Sequence, residues 1–228
     1  MPHQPELIAH RGASAARPEN TMAAFEEAAS QGADALELDV HLTADNVLVV
    51  HHDPAVQDGG RRAAIRTLTL SALAAFRVRG EPIPTLGQVV TGLGDRLRIY
   101  CELKGDGTAR PAAALLAPLG EMAAVHSFDH RMVADARSAT PSLPRGVLET
   151  SYHLDPAAGL AAVGGRDLWQ EQTLIDAPLV AAVHRAGGRV IAWTVNDADR
   201  ARQLAAIGVD GLCTDDVAKI RRAITPPM

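Results

Sequence analysis

The amino-acid sequence predicts an α/β protein, a (β/α)8 TIM barrel with a β-hairpin and a small insertion at its C-terminal face. Short aliphatic or β-branched runs alternate with Ala-rich helical segments along the whole chain, and such alternation implies a parallel sheet covered by helices. The length of 228 residues holds one sizeable core and lies near the lower end for eight β/α units. Nine strand candidates compete for eight places, and the surplus one follows its predecessor after only Thr43-Ala44-Asp45-Asn46. So short a link closes a hairpin but cannot make a parallel crossover.

In chain order, strands are expected at 7–10, 35–40, 47–52, 97–104, 123–128, 146–149, 167–172, 189–195 and 208–214. Asn20 is placed to cap a helix whose apolar stripe is Met22, Phe25 and Ala29 and which stops near Gly32. Asp176 with Pro178 opens another, with Leu179, Val180 and Val183 inward and Gly187 as its stop. Asp197 opens a third, ending at Gly208. The 47–52 run reads as an antiparallel return above the barrel mouth. A turn centred on Ala44-Asp45 would bring His52 level with Glu37, putting Glu37, Asp39 and His52 on one face and His51 on the other. Residues 54–96 form the one long excursion, with a helical stretch at 71–76 and the turn Pro82-Ile83-Pro84-Thr85. It reads as a lid or small insertion within a single domain spanning 1–228.

Composition narrows the functional classes. Hydrophobic residues make up 47% and aromatics only 3%, so the core is aliphatic and base-stacking platforms are not expected. A net charge of −5 argues against a nucleic-acid surface. An anionic substrate must then be met by local cations. The first residues carry neither a basic nor an apolar leader segment, and no apolar run spans a bilayer. Membrane insertion is therefore not expected, and a cytoplasmic location is. Cys101 and Cys213 sit in strand-like runs and read as buried free thiols of a reducing compartment. The sequence carries no signal for an oligomeric state.

The chemistry concentrates at strand ends. Glu37 and Asp39 share one face of their strand, opposite Leu36, Leu38 and Val40, and Glu102 follows the same parity in Ile99-Tyr100-Cys101-Glu102-Leu103-Lys104. Adjacent buried carboxylates repel and lose hydration, so they stay ionised only beside a compensating cation. Any one of them alone reads more readily as half of an ion pair with Arg or Lys. The three together point to a hard divalent cation, Mg2+ or Ca2+. Zn2+ is disfavoured because no His-x-x-x-His or Cys pair is present. His10 and His52 each close a strand. They suit a general acid–base pair, or the structural role that strand-end histidines more often have. Arg11 and Lys104 suit non-bridging phosphate oxygens. Trp193 and Phe128 are read as walls of a substrate pocket, with core packing equally open for Trp193. Asp210 and Asp215 read as turn or capping groups.

These residues resemble the glycerophosphodiester phosphodiesterase family. The family's His-Arg-Gly and Pro-Glu-Asn-Thr match His10-Arg11-Gly12 and Pro18-Glu19-Asn20-Thr21. Its Glu-x-Asp-Val, Val-Val-x-His-Asp, Ile-Pro-Thr-Leu and Glu-x-Lys match Glu37–Val40, Val49–Asp53, Ile83–Leu86 and Glu102–Lys104. Ser127-Phe128, Trp193-Thr194-Val195-Asn196 and Gly208–Asp215 continue the likeness in order. It implies a (β/α)8 barrel with one divalent cation on Glu37, Asp39 and Glu102, and His10 and His52 as acid and base. It also implies a small-molecule glycerophosphodiester as substrate, cut to sn-glycerol 3-phosphate and an alcohol, with the glycerol 2-hydroxyl attacking phosphorus and the reaction passing through a cyclic phosphate. The family's Leu-x-Arg-Thr stretch after His-Asp is replaced here by Pro54-Ala55-Val56-Gln57-Asp58-Gly59, which leaves the alcohol open. Two rival expectations are a lysophospholipase D-type activity on the same barrel and a catalytically silent phosphodiester-binding barrel.

Overall fold

The computed structural model describes residues 4–225. Its strands are β1 (Glu6–His10), β2 (Ala35–Leu42), β3 (Leu48–Val50), β4 (Ala55–Asp58), β5 (Arg61–Ala64), β6 (Arg77–Val78), β7 (Glu81–Pro82), β8 (Arg98–Leu103), β9 (Ala123–Ser127), β10 (Arg145–Glu149), β11 (Asp167–Glu171), β12 (Arg189–Trp193) and β13 (Gly211–Thr214). The α-helices are α1 (Met22–Ser30), α2 (Leu70–Leu73), α3 (Leu86–Leu93), α4 (Ala109–Leu116), α5 (His130–Ala139), α6 (Ala158–Val163), α7 (Ala177–Arg185), α8 (Ala198–Ala206) and α9 (Val217–Ile224).

Eight strands are parallel and closed, in the order β1-β2-β8-β9-β10-β11-β12-β13 and back to β1. Each is followed by a helix on the outside, α1 and α3 to α9, which makes the chain a (β/α)8 barrel. Alternation along the strands sorts their side chains. In β2, Leu36, Leu38 and Val40 join Phe25, Leu86 and Val89 in the layer between barrel and helices. The barrel interior is filled by one residue from each strand: Ile8, Ala35, Tyr100, Ala124, Leu148, Trp169, Ile191 and Cys213. Below that plug, at the N-terminal ends, carboxylates are matched by guanidiniums. Arg189 pairs with Glu6 at 2.7 Å and with Asp167 at 3.3 Å, and Arg98 also pairs with Glu6. Above it lie the groups of the C-terminal face.

The hairpin forms as expected but in a different register. Val40 opposes Val50 and Leu42 opposes Leu48, so the position level with Asp39 falls to His51, whose N–H donates to the Asp39 carbonyl at 3.0 Å. The turn sets this. It spans five residues, with the Thr43 N–H donating to the Val47 carbonyl at 3.0 Å and Asn46 at φ 61°. Strand pairing ends at Val50 and the chain bends, which frees His52 from the alternation.

Residues 54–96 divide in two. The first part carries the hairpins β4–β5 and β6–β7 and the short α2, around a small core of Val49, Val56, Ile65, Leu73 and Phe76. The expected helix at 71–76 is the shorter α2, and Phe76 instead packs into that core. The second part is α3, which the sequence reading missed and which belongs to the barrel: Leu86, Val89 and Leu93 are buried against it. Thr85 and Gln88 cap α3 reciprocally. The cap of α1 also differs from expectation. Thr21, not Asn20, accepts from the Ala24 N–H, while Asn20 is buried and turned toward β2. Asp176 and Asp197 cap α7 and α8 as expected.

Candidate active site

The C-terminal ends of β1, β2, β8 and β9 place five polar side chains, of three kinds, in one row. His10 lies level with Glu37, Asp39 with Glu102, and Glu102 with His126. A cavity of about 120 Å3 opens above the interior plug, lined by His10, Arg11, Glu37, His52, Glu102, Lys104, His126, Phe128, Trp169 and Trp193 among others. His10, Arg11, Glu37, Glu102, Lys104, His52, Phe128 and Trp193 are thus brought together around one space, with Asp39 beside it.

Every carboxylate in the row is buried. Glu37 accepts from the Arg11 N–H at 3.1 Å. Burial, then the charges of Asp39 and Glu102, push its pKa well above the usual carboxylate range. Glu102 is pushed up to about 7 by burial and by Asp39, against the pull of Lys104, whose Nζ lies 2.8 Å from its Oε1. Asp39 differs. Burial raises its pKa, but Arg11, Lys104 and Asn20 outweigh that and hold it below the usual value. Asn20 Nδ2 donates to Asp39 Oδ2 at 2.8 Å, and Arg11 Nε lies 3.2 Å from the same oxygen. Asp39 Oδ1 faces Lys104 Nζ at 3.3 Å and is buried without a hydrogen bond. Three carboxylates thus face two cations, and one carboxylate oxygen is left over. Such a donor set fits a divalent cation.

The two histidines arrive from different elements with a common arrangement. His10 Nδ1 lies 2.7 Å from Asp215 Oδ1, and His52 Nδ1 lies 2.8 Å from Asp53 Oδ1. With Nδ1 tied to a carboxylate, each ring keeps Nε2 for other work. Asp215, expected as a turn or capping group, is the keystone of a network at the ends of β12 and β13. Ser14 Oγ donates to its Oδ1 at 2.9 Å and Asn196 Nδ2 to its Oδ2 at 2.6 Å. Burial alone would raise its pKa, but the His10 contact and these donors bring it down to about 2. Arg11, at φ 58°, precedes Gly12, at φ 83°. A Cβ on Gly12 would meet the Ala24 backbone at 2.7 Å, so only glycine lets this loop pass under α1.

The sequence alone gives His126 no role in the site. The structure puts it in the site. It is 1% exposed, and its ring stacks on Trp169 with centroids 4.2 Å apart and planes at 15°. Burial drives its pKa down to about 3, so the ring is neutral. Ligand atoms of Glu37, Glu102 and His126 all lie within 4.8 Å of one another. The signals were its parity with Ala124 and its place at a strand end. At the mouth, Phe128 and Trp193 meet edge to face at 5.5 Å, and Lys104 Nζ lies 5.9 Å from the Phe128 ring centre.

The wider comparisons agree with this geometry. Residues 10–219 match the model of the glycerophosphoryl diester phosphodiesterase family. YhdW of Bacillus subtilis is 32% identical, over 92% of this chain and 93% of its own. A glycerophosphodiester phosphodiesterase of Caldanaerobacter subterraneus subsp. tengcongensis is 31% identical, over 92% of this chain and 93% of its own. Among solved structures, an Oleispira antarctica phosphodiesterase in complex with the product sn-glycerol-3-phosphate superposes with a TM-score of 0.86 at 27% identity, covering 96% of each chain. On the match from His10 to Lys219 and the full-length likeness to these relatives, the chain belongs to the glycerophosphoryl diester phosphodiesterase family of enzymes.

Proposed function

We propose that this enzyme hydrolyses glycerophosphodiesters to sn-glycerol 3-phosphate and an alcohol, with His10 and His52 as its proton-transfer pair. The observation that carries the proposal is their convergence on one small cavity with Glu37, Glu102, Arg11 and Lys104. A binding barrel has no use for two imidazoles with Nε2 available beside unmatched carboxylates. The resemblance supplies the substrate class, and the Oleispira neighbour was solved with the product named here.

Glu37, Asp39 through Oδ1, and Glu102 would hold a divalent cation. When bound, it supplies Lewis-acid stabilisation of charge on a phosphoryl oxygen. The chain's own groups do the rest. Lys104 and Arg11 orient the non-bridging oxygens, Lys104 as a point charge and Arg11 by the face of its guanidinium not turned to Asp39 and Glu19. One imidazole takes a proton at Nε2 from the attacking glycerol 2-hydroxyl and the other gives one to the leaving alcohol oxygen, which leaves a cyclic phosphate. With the two roles exchanged, the pair then takes a proton from water attacking phosphorus and returns one to the 2-oxygen, giving sn-glycerol 3-phosphate. Phe128 and Trp193 wall off water on one side of the mouth. Flanking hollows of about 450 and 470 Å3, one sharing His10 and the other Lys104, give room for glycerol and the alcohol. The part of 54–96 that precedes α3 acts as a lid of this single catalytic domain. Among the described residues no helix is long and apolar enough to cross a membrane. The buried free thiols support a cytoplasmic site of action.

One observation favours a second substrate. Leu154 is fully exposed and Tyr152 and Phe128 half-exposed, all near the C-terminal ends of β9 and β10. An acyl chain of a lysophospholipid would cover them. A panel of glycerophosphodiesters and lysophospholipids, assayed with and without chelator, tests both readings. Chelator-sensitive release of glycerol phosphate from the first set supports the main one. Preference for the acylated set replaces it with the lysophospholipase D-type activity. No turnover of either set leaves a silent binding barrel.

A further inference from the structure

We infer that His126 is a nitrogen ligand of the cation, which gives this site a preference for a first-row transition-metal dication over Mg2+ or Ca2+. The inference rests on the cation reading above and deepens it. Its basis is a side chain that nothing else in the structure employs. His126 is fully buried on β9, and its Nδ1 has no hydrogen-bond partner among the described residues. Nε2 points at Glu37, 3.9 Å from Oε1, too far for a hydrogen bond. That gap is the span left when an ion rather than a proton joins two donors. Metal–ligand bonds of roughly 2 Å on each side close it.

A buried imidazole without a partner loses hydration for no return. Proteins keep such groups where something else completes them. The ring here is also held ready. Trp169 stacks beneath it and fixes its plane. The registers Asp39↔Glu102 and Glu102↔His126 carry one line of donors across three adjacent strands.

The donor set is then three carboxylates and one imidazole. The three-carboxylate set read from the sequence suits Mg2+ or Ca2+, but imidazole suits Mn2+, Co2+ and Zn2+ increasingly well and Ca2+ poorly. The expectation against Zn2+ rested on the lack of a second His or Cys nearby in the chain, and β9 supplies the nitrogen from across the sheet. No carboxylate or carbonyl holds the far ring nitrogen, as one usually does behind a ligating histidine. Removing a ligand costs at least what removing its outer-shell partner does, so loss of His126 is expected to weaken affinity by about tenfold or more.

The test uses the metals alone. Full-length protein is freed of ions with a chelator and loaded with one equivalent of Mn2+, and pulsed EPR reads the nuclei bound to it. A 14N coupling of imidazole type is expected in the wild type and absent in His126→Phe, which keeps the stacked ring and removes both nitrogens. By calorimetry, His126→Phe should bind Mn2+ and Zn2+ at least about tenfold more weakly while Ca2+ affinity stays the same. Bound Mn2+ with no nitrogen coupling in the wild type overturns the assignment, and so does a variant that binds all three ions unchanged. If His126→Phe fails to fold, the wild-type spectrum alone decides. Phosphodiester turnover without nitrogen coupling removes His126 and leaves the hydrolase reading intact.

Discussion

In the proposed mechanism His10 and His52 share one job, on unequal footings. Asp215, behind His10, is held by Ser14 and Asn196, whereas Asp53, behind His52, is 70% exposed in its side chain. Replacing either histidine by alanine should lower kcat by about a hundredfold or more while the metal stays bound. Steady-state kinetics with a parallel metal titration checks both parts, and wild-type rates in either variant remove that residue from the acid–base pair. Asp215→Asn keeps the shape but loses the charge behind His10. It should lower kcat by about tenfold with KM little changed, and it should add nothing further in a His10→Ala background. Multiplying effects in the double variant would show that Asp215 acts elsewhere. These assignments differ in how far the sequence revealed them. Glu37, Asp39 and Glu102 were legible because strand parity alone puts them on the inner face. His52 was reached for a reason the structure corrects, since the bend after Val50 rather than the hairpin register delivers it. Asp215 and His126 were not legible as site residues. Their partners come from strands far away in the chain, and a strand-end position alone does not separate them from structural or capping groups.

Secondary-structure elements show the same division between local and distant causes. The eight barrel strands and the hairpin were readable from short runs of aliphatic residues between turn signals. Helix α3 was not, because Gly87 and Gly92 weaken its helical pattern. The Thr85–Gln88 capping box was the signal that marked it. The segment before α3 hangs on its own small core, with Arg61 over the Phe76 ring at 4.9 Å. Phe76→Ala should cost about 3 kcal/mol there. The loss should stay local, so hydrogen exchange should speed up in β4 and β5 while β11 keeps its protection. Equal loss of protection in β11 would mean that the segment and the barrel unfold as one unit.

Across the whole molecule, the two ends of the barrel follow opposite electrostatic rules. At the N-terminal end Glu6 and Asp167 are each met by arginine. At the other end carboxylates outnumber cations, and stability should register the difference. Glu102 holds its proton up to about 7 in the folded chain and releases it near 4.5 in the unfolded one. Between those values the folded state binds more protons, so metal-free stability should fall as pH rises from about 4.5 to about 7. Glu37 is shifted in the same direction. A divalent cation replaces the protons. It should therefore raise Tm more at pH 8 than at pH 5, which scanning calorimetry with and without metal measures directly. An equal rise at both values would show that the cation does not neutralise these carboxylates.

The aromatic floor beneath His126 has a practical corollary. The chain contains only two tryptophans, and both Trp169 and Trp193 border the cavity. Its intrinsic ultraviolet emission is therefore a native gauge of what occupies that space. A paramagnetic ion set down beside the stacked indole should dim the signal in proportion to filling, with no label attached.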